Sequence, residues 1–145
     1  MTRSQSMDVS VPTVAPLGHG ASPLTLTDAH LYSRFVQRLH RRYADVLPLL
    51  EPGAPTRETL KACFEALVRK GFDTNAALRV LRQLTLERLA HLDCARQASL
   101  DSVTRSMTWL AEVTLDMAWQ QVSADLDALH GAPTKDGGQR AEMWI

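Results

Sequence analysis

The segment between Ser99 and Gly131 constrains the fold more than any other part of the chain. Ser99 is a typical N-cap and Gly131 a typical helix stop, which predicts one helix of roughly 30 residues, or about 45 Å. Its apolar arc is wider than the single stripe of a surface helix, so we expect it to pack on two sides, one of them covered by protein outside this sequence. The charged positions are Asp101, Arg105, Glu112, Asp116 and Asp127, and the apolar ones include Val103, Met107, Leu110, Val113, Leu115, Met117, Ala118, Val122, Leu126 and Leu129.

Three shorter helices are predicted upstream, because apolar residues recur there at spacings of three and four. They cover about 28–47, 57–70 and 73–97. The expected boundary residues are Thr27 or Asp28 and Pro48 for the first helix, Thr56, Lys70 and Gly71 for the second, and Asp73 or Thr74 and Gln97 for the third. The pattern predicts an all-α domain of about four helices over residues 25–131.

The two ends of the chain differ from this helical region. Residues 1–24 contain Ser, Thr, Gly and Pro without an apolar period, which predicts a disordered tail. Residues 132–140 are polar and glycine-rich, as in a linker. Residues 141–145 form a short apolar run, and a strand needs about five or six residues and a partner to pair with. We interpret this run as the truncated first strand of a further domain.

Composition excludes several classes of function. The 145 residues include 16 basic and 16 acidic side chains, so the net charge gives no reason to expect nucleic acid or an anionic membrane as a partner. No apolar stretch approaches the roughly 20 residues of a membrane span, and no signal peptide is evident near the N-terminus. We therefore expect a cytoplasmic protein.

The candidate metal and thiol chemistry is sparse. His91 and Cys94 are three residues apart with Asp93 between them, and Cys63 could supply a third ligand from a neighbouring helix. Zinc sites use four protein ligands, or three and a water, so reduced and buried thiols are the favoured interpretation over a metal site or a disulfide. Cys94 lacks an evident activating partner for nucleophilic catalysis.

A basic side of the first helix is the next candidate. Arg34, Arg38, His40, Arg41 and Arg42 lie close together, which permits a phosphate or nucleic-acid role. Acidic residues follow within ten positions and the chain is neutral, so a solvated helix face is favoured.

Three large side chains could lie at the edge of the core. Trp109 and Trp119 flank the charged arc of the long helix, and half-buried core is favoured over a partner-binding edge. Arg88 falls near the buried face of the third helix, so we expect it at the edge of the contact with its charged end turned outward.

Longer runs of sequence carry a family resemblance. Residues 81–94 (LRQLTLERLAHLDC) and 103–112 (VTRSMTWLAE) precede a Gly-Ala-Pro at 131–133 and a Met-Trp-Ile at 143–145. In this order and at these distances, they resemble the region before the first nucleotidyltransferase domain of the bifunctional glutamine synthetase adenylyltransferase/adenylyl-removing enzymes. The resemblance covers residues from about 30 to 145.

The resemblance implies a large cytoplasmic enzyme of nitrogen assimilation. Such enzymes transfer AMP from ATP to a tyrosine of glutamine synthetase and remove it by phosphorolysis, use Mg²⁺, and respond to glutamine and the PII signal protein. The family's Gly-x-Gly-Lys-Leu-Gly turn, Ser-Asp motif and metal-binding Asp-x-Asp pair are expected after the position of Ile145. None of their residues is present in this sequence.

Because the catalytic motifs are expected downstream, we assign no catalytic, cofactor-binding or metal-ligating residue to this chain. Without carboxylates to hold Mg²⁺, the chain alone is predicted to be inactive. Two hypotheses remain open: an N-terminal helical part that supports the first nucleotidyltransferase domain, which is favoured, and a stand-alone helical protein-interaction module.

Overall fold

The computed structural model describes residues 33–95 and 97–141. These residues form α1 (Arg34–Tyr43), a 3-10 helix (Leu47–Leu49), α2 (Arg57–Arg69), α3 (Thr74–Cys94) and α4 (Leu100–His130). The predicted all-α class with one long C-terminal helix is confirmed. The tail predicted over 1–24, and all but the first residue of the strand predicted over 141–145, lie outside the described residues. No helix of the described part is long and apolar enough to cross a membrane.

The first helix is shorter than predicted. It begins after Ser33, whose side chain accepts a hydrogen bond from the Val36 N–H at 3.3 Å, and it ends at Tyr43 instead of residue 47. Pro48 lies within the 3-10 helix instead of directly ending α1. A proline in a helix interior clashes with the carbonyl four residues before it, so the α-helix has to end about one turn earlier than the proline itself.

The boundaries of the other helices follow their capping residues. Thr56 forms a reciprocal capping box with Thr59, and the side chains of Asp73 and Ser99 each accept a hydrogen bond from the first turn of the following helix. The third helix ends at Cys94, three residues earlier than predicted. The Gln97 N–H instead donates to the Leu92 carbonyl at 2.8 Å, which closes the helix end.

The core lies where α2, α3 and α4 meet. Its central side chains, Leu60, Leu67 and Leu81, are fully buried. Leu110 and Val113 bring α4 into the same cluster, and the connection between α1 and α2 adds further apolar residues. Helix α1 is more peripheral and packs mainly against α3. Packing against α2 and α3 in this core therefore sets the orientation of α4.

Three polar contacts fasten the outer parts of the fold to this core. The buried Ser106 hydroxyl of α4 donates to the Pro55 carbonyl at 2.7 Å. Arg88, predicted at the edge of the contact, is half-buried and donates to the Leu50 carbonyl at 3.2 Å. His40 of α1 lies with its Nε2 2.8 Å from Oε1 of Glu87, a carboxylate on α3 that is only 3% exposed. A buried carboxylate needs such a partner, so this contact ties α1 to α3.

Replacing His40 by alanine is expected to lower the free energy of unfolding by about 1–3 kcal/mol. The buried Glu87 carboxylate would lose its partner, and the cost of removing it from water would no longer be offset. The double variant His40→Ala/Glu87→Met should be more stable than His40→Ala alone, since both polar partners are then removed together. Urea unfolding followed by circular dichroism measures both differences.

The matched control is Arg41→Ala, an exposed position one residue along the same helix. It should change the free energy of unfolding by no more than about 0.5 kcal/mol. Equal losses in His40→Ala and Arg41→Ala would show that the contact with Glu87 does not hold α1 in place.

Candidate protein-docking surface

Helix α4 has two apolar faces on opposite sides. Ser106, Leu110 and Val113 are buried against α2 and α3, and Met117 packs beside them. At 3.6 residues per turn, a second apolar set lies about half a turn away from these positions. The expectation that α4 is suited to packing on two sides agrees with this arrangement, because the described residues cover only the first face.

The second face is a stripe with spacings of four, three, four and three residues. We call it the α4 stripe, and its members are Leu115, Trp119, Val122, Leu126 and Leu129. Leu115 is 56% exposed, Leu126 49% and Leu129 74%. Side chains with this spacing form the contact seam between paired helices. A contiguous exposed apolar surface of this kind is typical of a protein-interaction site.

The segment after α4 folds back and deepens one side of the stripe. Gly131 ends the helix with φ +82°, and Thr134 and Arg140 then form an antiparallel bridge. Arg140 pairs with Asp127 of α4. These contacts form one wall of a groove of 870 Å³, whose lining includes Trp119, Leu126, Pro133 and Ala141.

Sequence reasoning identified the α4 stripe only in part. It placed Leu115, Val122, Leu126 and Leu129 in a wide apolar arc, but it did not anticipate the wall formed by Pro133 and Ala141. The signal available for that wall was the Gly137-Gly138 pair, since both glycines have positive φ and allow the tight turn that brings residue 140 back to α4.

The two tryptophans of α4 have different environments. Trp109 is half-buried and packs on the core, as predicted. Trp119 is also half-buried, but it lines the groove beside the α4 stripe instead of joining the core cluster. The core interpretation is therefore wrong for Trp119, because this side chain lies on the face of α4 opposite Leu110 and Val113, whereas α2 and α3 pack on the other face.

The cysteines and His91, considered above as metal ligands, do not form a metal site among the described residues. Cys63 is buried in the core, whereas Cys94 is exposed, so the prediction of two buried thiols is wrong for Cys94. Both are free cysteines. Among the described residues, no group of three or more His, Cys, Asp or Glu side chains could hold a metal ion. These residues therefore offer no site that fits the Mg²⁺ implied by the family resemblance.

The basic side of α1 is exposed in the structure, with one exception. Arg34, Arg38, Arg41 and Arg42 are exposed, as predicted. His40 is not part of this face, because its ring turns toward Glu87 of α3. The sequence pattern grouped it with the arginines because a contact across 47 positions leaves no local signal.

Comparison with known proteins gives this helical module a family. The profile of the glutamate-ammonia ligase adenylyltransferase family matches residues 20–145. The bifunctional glutamine synthetase adenylyltransferase/adenylyl-removing enzyme of Ralstonia nicotianae is 34% identical in an alignment that covers 79% of this chain and 13% of that protein. Enzymes of the same name from Burkholderia pseudomallei and Aromatoleum aromaticum are 31% and 30% identical, over 84% and 90% of this chain and 15% and 14% of those proteins.

No solved structure matches the chain. The profile match nevertheless covers most of the sequence, so the chain belongs to the glutamate-ammonia ligase adenylyltransferase family. It spans only 13–15% of the length of the three relatives. Most of each relative therefore has no counterpart in these 145 residues.

Cysteine accessibility provides a direct test of the packing beneath this surface. Burial raises the pKa of the Cys63 thiol to about 11, so little of it is the reactive thiolate at neutral pH. A thiol reagent such as iodoacetamide should therefore modify Cys94 in the native chain and both cysteines in denaturant, as measured by mass spectrometry of peptides. Rapid modification of a Cys94→Ser variant under native conditions would contradict the buried position of Cys63.

Proposed function

We propose that this chain is the N-terminal helical part of an enzyme that adenylylates and deadenylylates glutamine synthetase. The domain division proposed is a tail over 1–24, a helical domain over 25–131, a linker over 132–140 and the first strand of a nucleotidyltransferase domain over 141–145. The family match and the names of the relatives support this function. Cytoplasmic location and partners such as glutamine synthetase and PII belong to the same proposal.

The proposed role of the helical domain is to support the first catalytic domain. The observation that carries this role is the α4 stripe, an exposed apolar face opposite the core. The relatives are several times longer than this chain, so they contain additional protein that could cover the corresponding face. Burial of the stripe would release about 25 cal/mol for each Å² of apolar surface removed from water.

The proposed division of labour follows from the chemistry of AMP transfer. The reaction needs carboxylates that hold Mg²⁺ and so neutralise the phosphates of ATP and align the attacking oxygen. We place these groups in the downstream domain. The residues of this chain would instead orient the downstream domain. One face of α4 packs on the core, and the downstream domain would pack on the opposite face.

The purified chain is expected neither to adenylylate glutamine synthetase nor to release AMP from it. The measurement is transfer of labelled AMP from ATP in one direction and phosphate-dependent release in the other. A longer protein that continues into the downstream coding sequence should perform both reactions. Turnover by the 145-residue chain alone would overturn the proposed location of the chemistry.

A charge placed in the α4 stripe should separate docking from folding. In the isolated chain, Leu126→Asp should lower the free energy of unfolding by no more than about 1–2 kcal/mol, because Leu126 is half exposed and the loss comes mainly from weaker helix propensity and a negative charge near the helix C-terminus. In the longer protein, the same change should lower the melting temperature and the transfer rate, since it would bury an unpaired carboxylate.

The matched control is Ala128→Asp, which adds the same charge to an exposed position outside the stripe. It has the same cost in helix propensity and charge at the helix end, so it should lower the melting temperature of the longer protein only slightly and leave its transfer rate nearly unchanged. If both variants reduce its activity equally, the stripe is not the docking surface.

A second candidate function is a stand-alone helical interaction module. The observation that favours it is the core formed by α2, α3 and α4, which is assembled from residues of this chain alone. The downstream coding sequence discriminates between the two: Gly-x-Gly-Lys-x-Gly followed by Ser-Asp-x-Asp supports the enzyme, whereas a stop codon without these motifs in any frame supports the module. An isolated chain that aggregates would count against the module.

A further inference from the structure

A second surface, on the side of α1 and α3, is rich in arginine. Two adjoining depressions of 550 and 390 Å³ share Arg42, Tyr43 and Gln83. We call them together the arginine groove. Its charged lining consists of Arg38, Arg41, Arg42, Arg79 and Arg82, and no acidic side chain contributes to it. It shares no residue with the α4 stripe or the groove beside that stripe.

The arginines of this groove differ from most other basic side chains of the described residues. Elsewhere, Arg57, Lys61, Arg69, Arg105 and Arg140 pair with carboxylates. Arg88 and Lys70 donate to backbone carbonyls. Within residues 33–95 and 97–141, none of the five groove arginines forms a salt bridge, and Arg42 is the one that lies over an aromatic ring, 5.4 Å from the centroid of Tyr43. Among the described residues, Arg34 and Lys135 also have no ion pair, but only the groove brings five such arginines together.

The form of the groove indicates what could neutralise it. All five cations are arginines, whose planar guanidinium groups bind carboxylates and phosphates through paired hydrogen bonds. Phe35, Tyr43 and Phe72 add half-buried aromatic surface between them. Such a surface is suited to a ligand that carries several negative charges and some apolar area.

The spacing of the arginines favours a helix as that ligand. Arg38 and Arg42 are four residues apart on α1, and Arg79 and Arg82 are three apart on α3. Residues three and four apart on a helix lie about 5–6 Å from each other, so acidic side chains at the same spacing on a partner helix would match both pairs.

The distribution of charge argues against nucleic acid. The chain has no net charge, so its overall field does not attract a long polyanion. The one arginine of α4, Arg105, pairs with Asp101, so α4 offers no free arginine along which a nucleic acid could extend beyond the groove. A short acidic helix needs no surface beyond the groove itself.

We propose that the arginine groove binds an acidic helix of a partner protein, with carboxylates at positions i and i+3 or i+4. This interaction is independent of the proposed docking of the α4 stripe, because the two surfaces lie on different helices. It adds a partner-binding site to the helical domain, whichever of the two candidate functions is correct.

The test uses the full chain and two synthetic peptides. One is a 20-residue alanine-based helix with glutamates at i, i+4 positions, and the other carries glutamine at the same positions. Fluorescence anisotropy should detect binding of the glutamate peptide, and the glutamine peptide should bind at least about tenfold more weakly, because it lacks the charges that the arginines recognise.

Charge-reversal variants locate the site. Arg38→Glu/Arg42→Glu should weaken binding of the acidic peptide about tenfold or more. Arg69→Glu/Arg105→Glu, which makes the same change in net charge at exposed positions outside the groove, should weaken it less than about threefold. Thermal melting checks that the variants fold. If Arg38→Glu/Arg42→Glu does not fold, Arg79→Gln/Arg82→Gln is a milder test of the same loss of binding.

Three results would overturn the proposal. The first is no measurable binding of the glutamate peptide. The second is an equal loss of affinity in the groove and control variants, which would indicate a general charge effect. The third is tighter binding of a duplex DNA with the same dependence on the groove arginines, which would indicate a nucleic-acid site.

Discussion

The packing of α4 against α2 and α3 is the contact on which the other features depend. Leu110 and Val113 enter a cluster whose centre is formed by fully buried leucines of α2 and α3. The Ser106 hydroxyl adds a buried hydrogen bond to the loop before α2, which fixes the position of α4 along its axis. Because one face of α4 is held in this way, the α4 stripe on its opposite face is displayed in a fixed direction. A rigid apolar face loses little conformational freedom when a partner covers it.

The two candidate surfaces differ in the physics of recognition. The α4 stripe is apolar and lies on a single helix, so its affinity for a partner would come from surface removed from water. The arginine groove is charged and lies between two helices, α1 and α3, which the His40–Glu87 contact also joins. A charged groove adds selectivity and a faster encounter more than it adds affinity. A helical domain with both surfaces could bind one protein segment through the α4 stripe and a second one through the arginine groove.

Local sequence signals predicted the helices well where a capping residue was present. Thr56, Asp73, Ser99 and Gly131 each lie at the boundary that their side chain or backbone preference indicates. The errors at Tyr43 and Cys94 arise because a helix end also depends on which backbone groups the following residues can reach. The candidate surfaces were predicted less completely. Arg79 and Arg82 join the arginines of α1 only when α1 packs on α3, and Pro133 reaches the groove beside the α4 stripe only through the turn at Gly137 and Gly138.

The amino-acid sequence alone determines that this chain is helical, and its similarity to known enzymes determines its family. Helical periodicity and capping act between residues a few positions apart, so they can be recognised without the fold. Only the tertiary structure decides which half of the apolar arc of α4 is buried and which half is exposed. Only the tertiary structure turns His40 away from its neighbouring arginines and toward Glu87, 47 positions away. Burial and ion pairing depend on which helices come together, and residues far apart in the chain determine that choice.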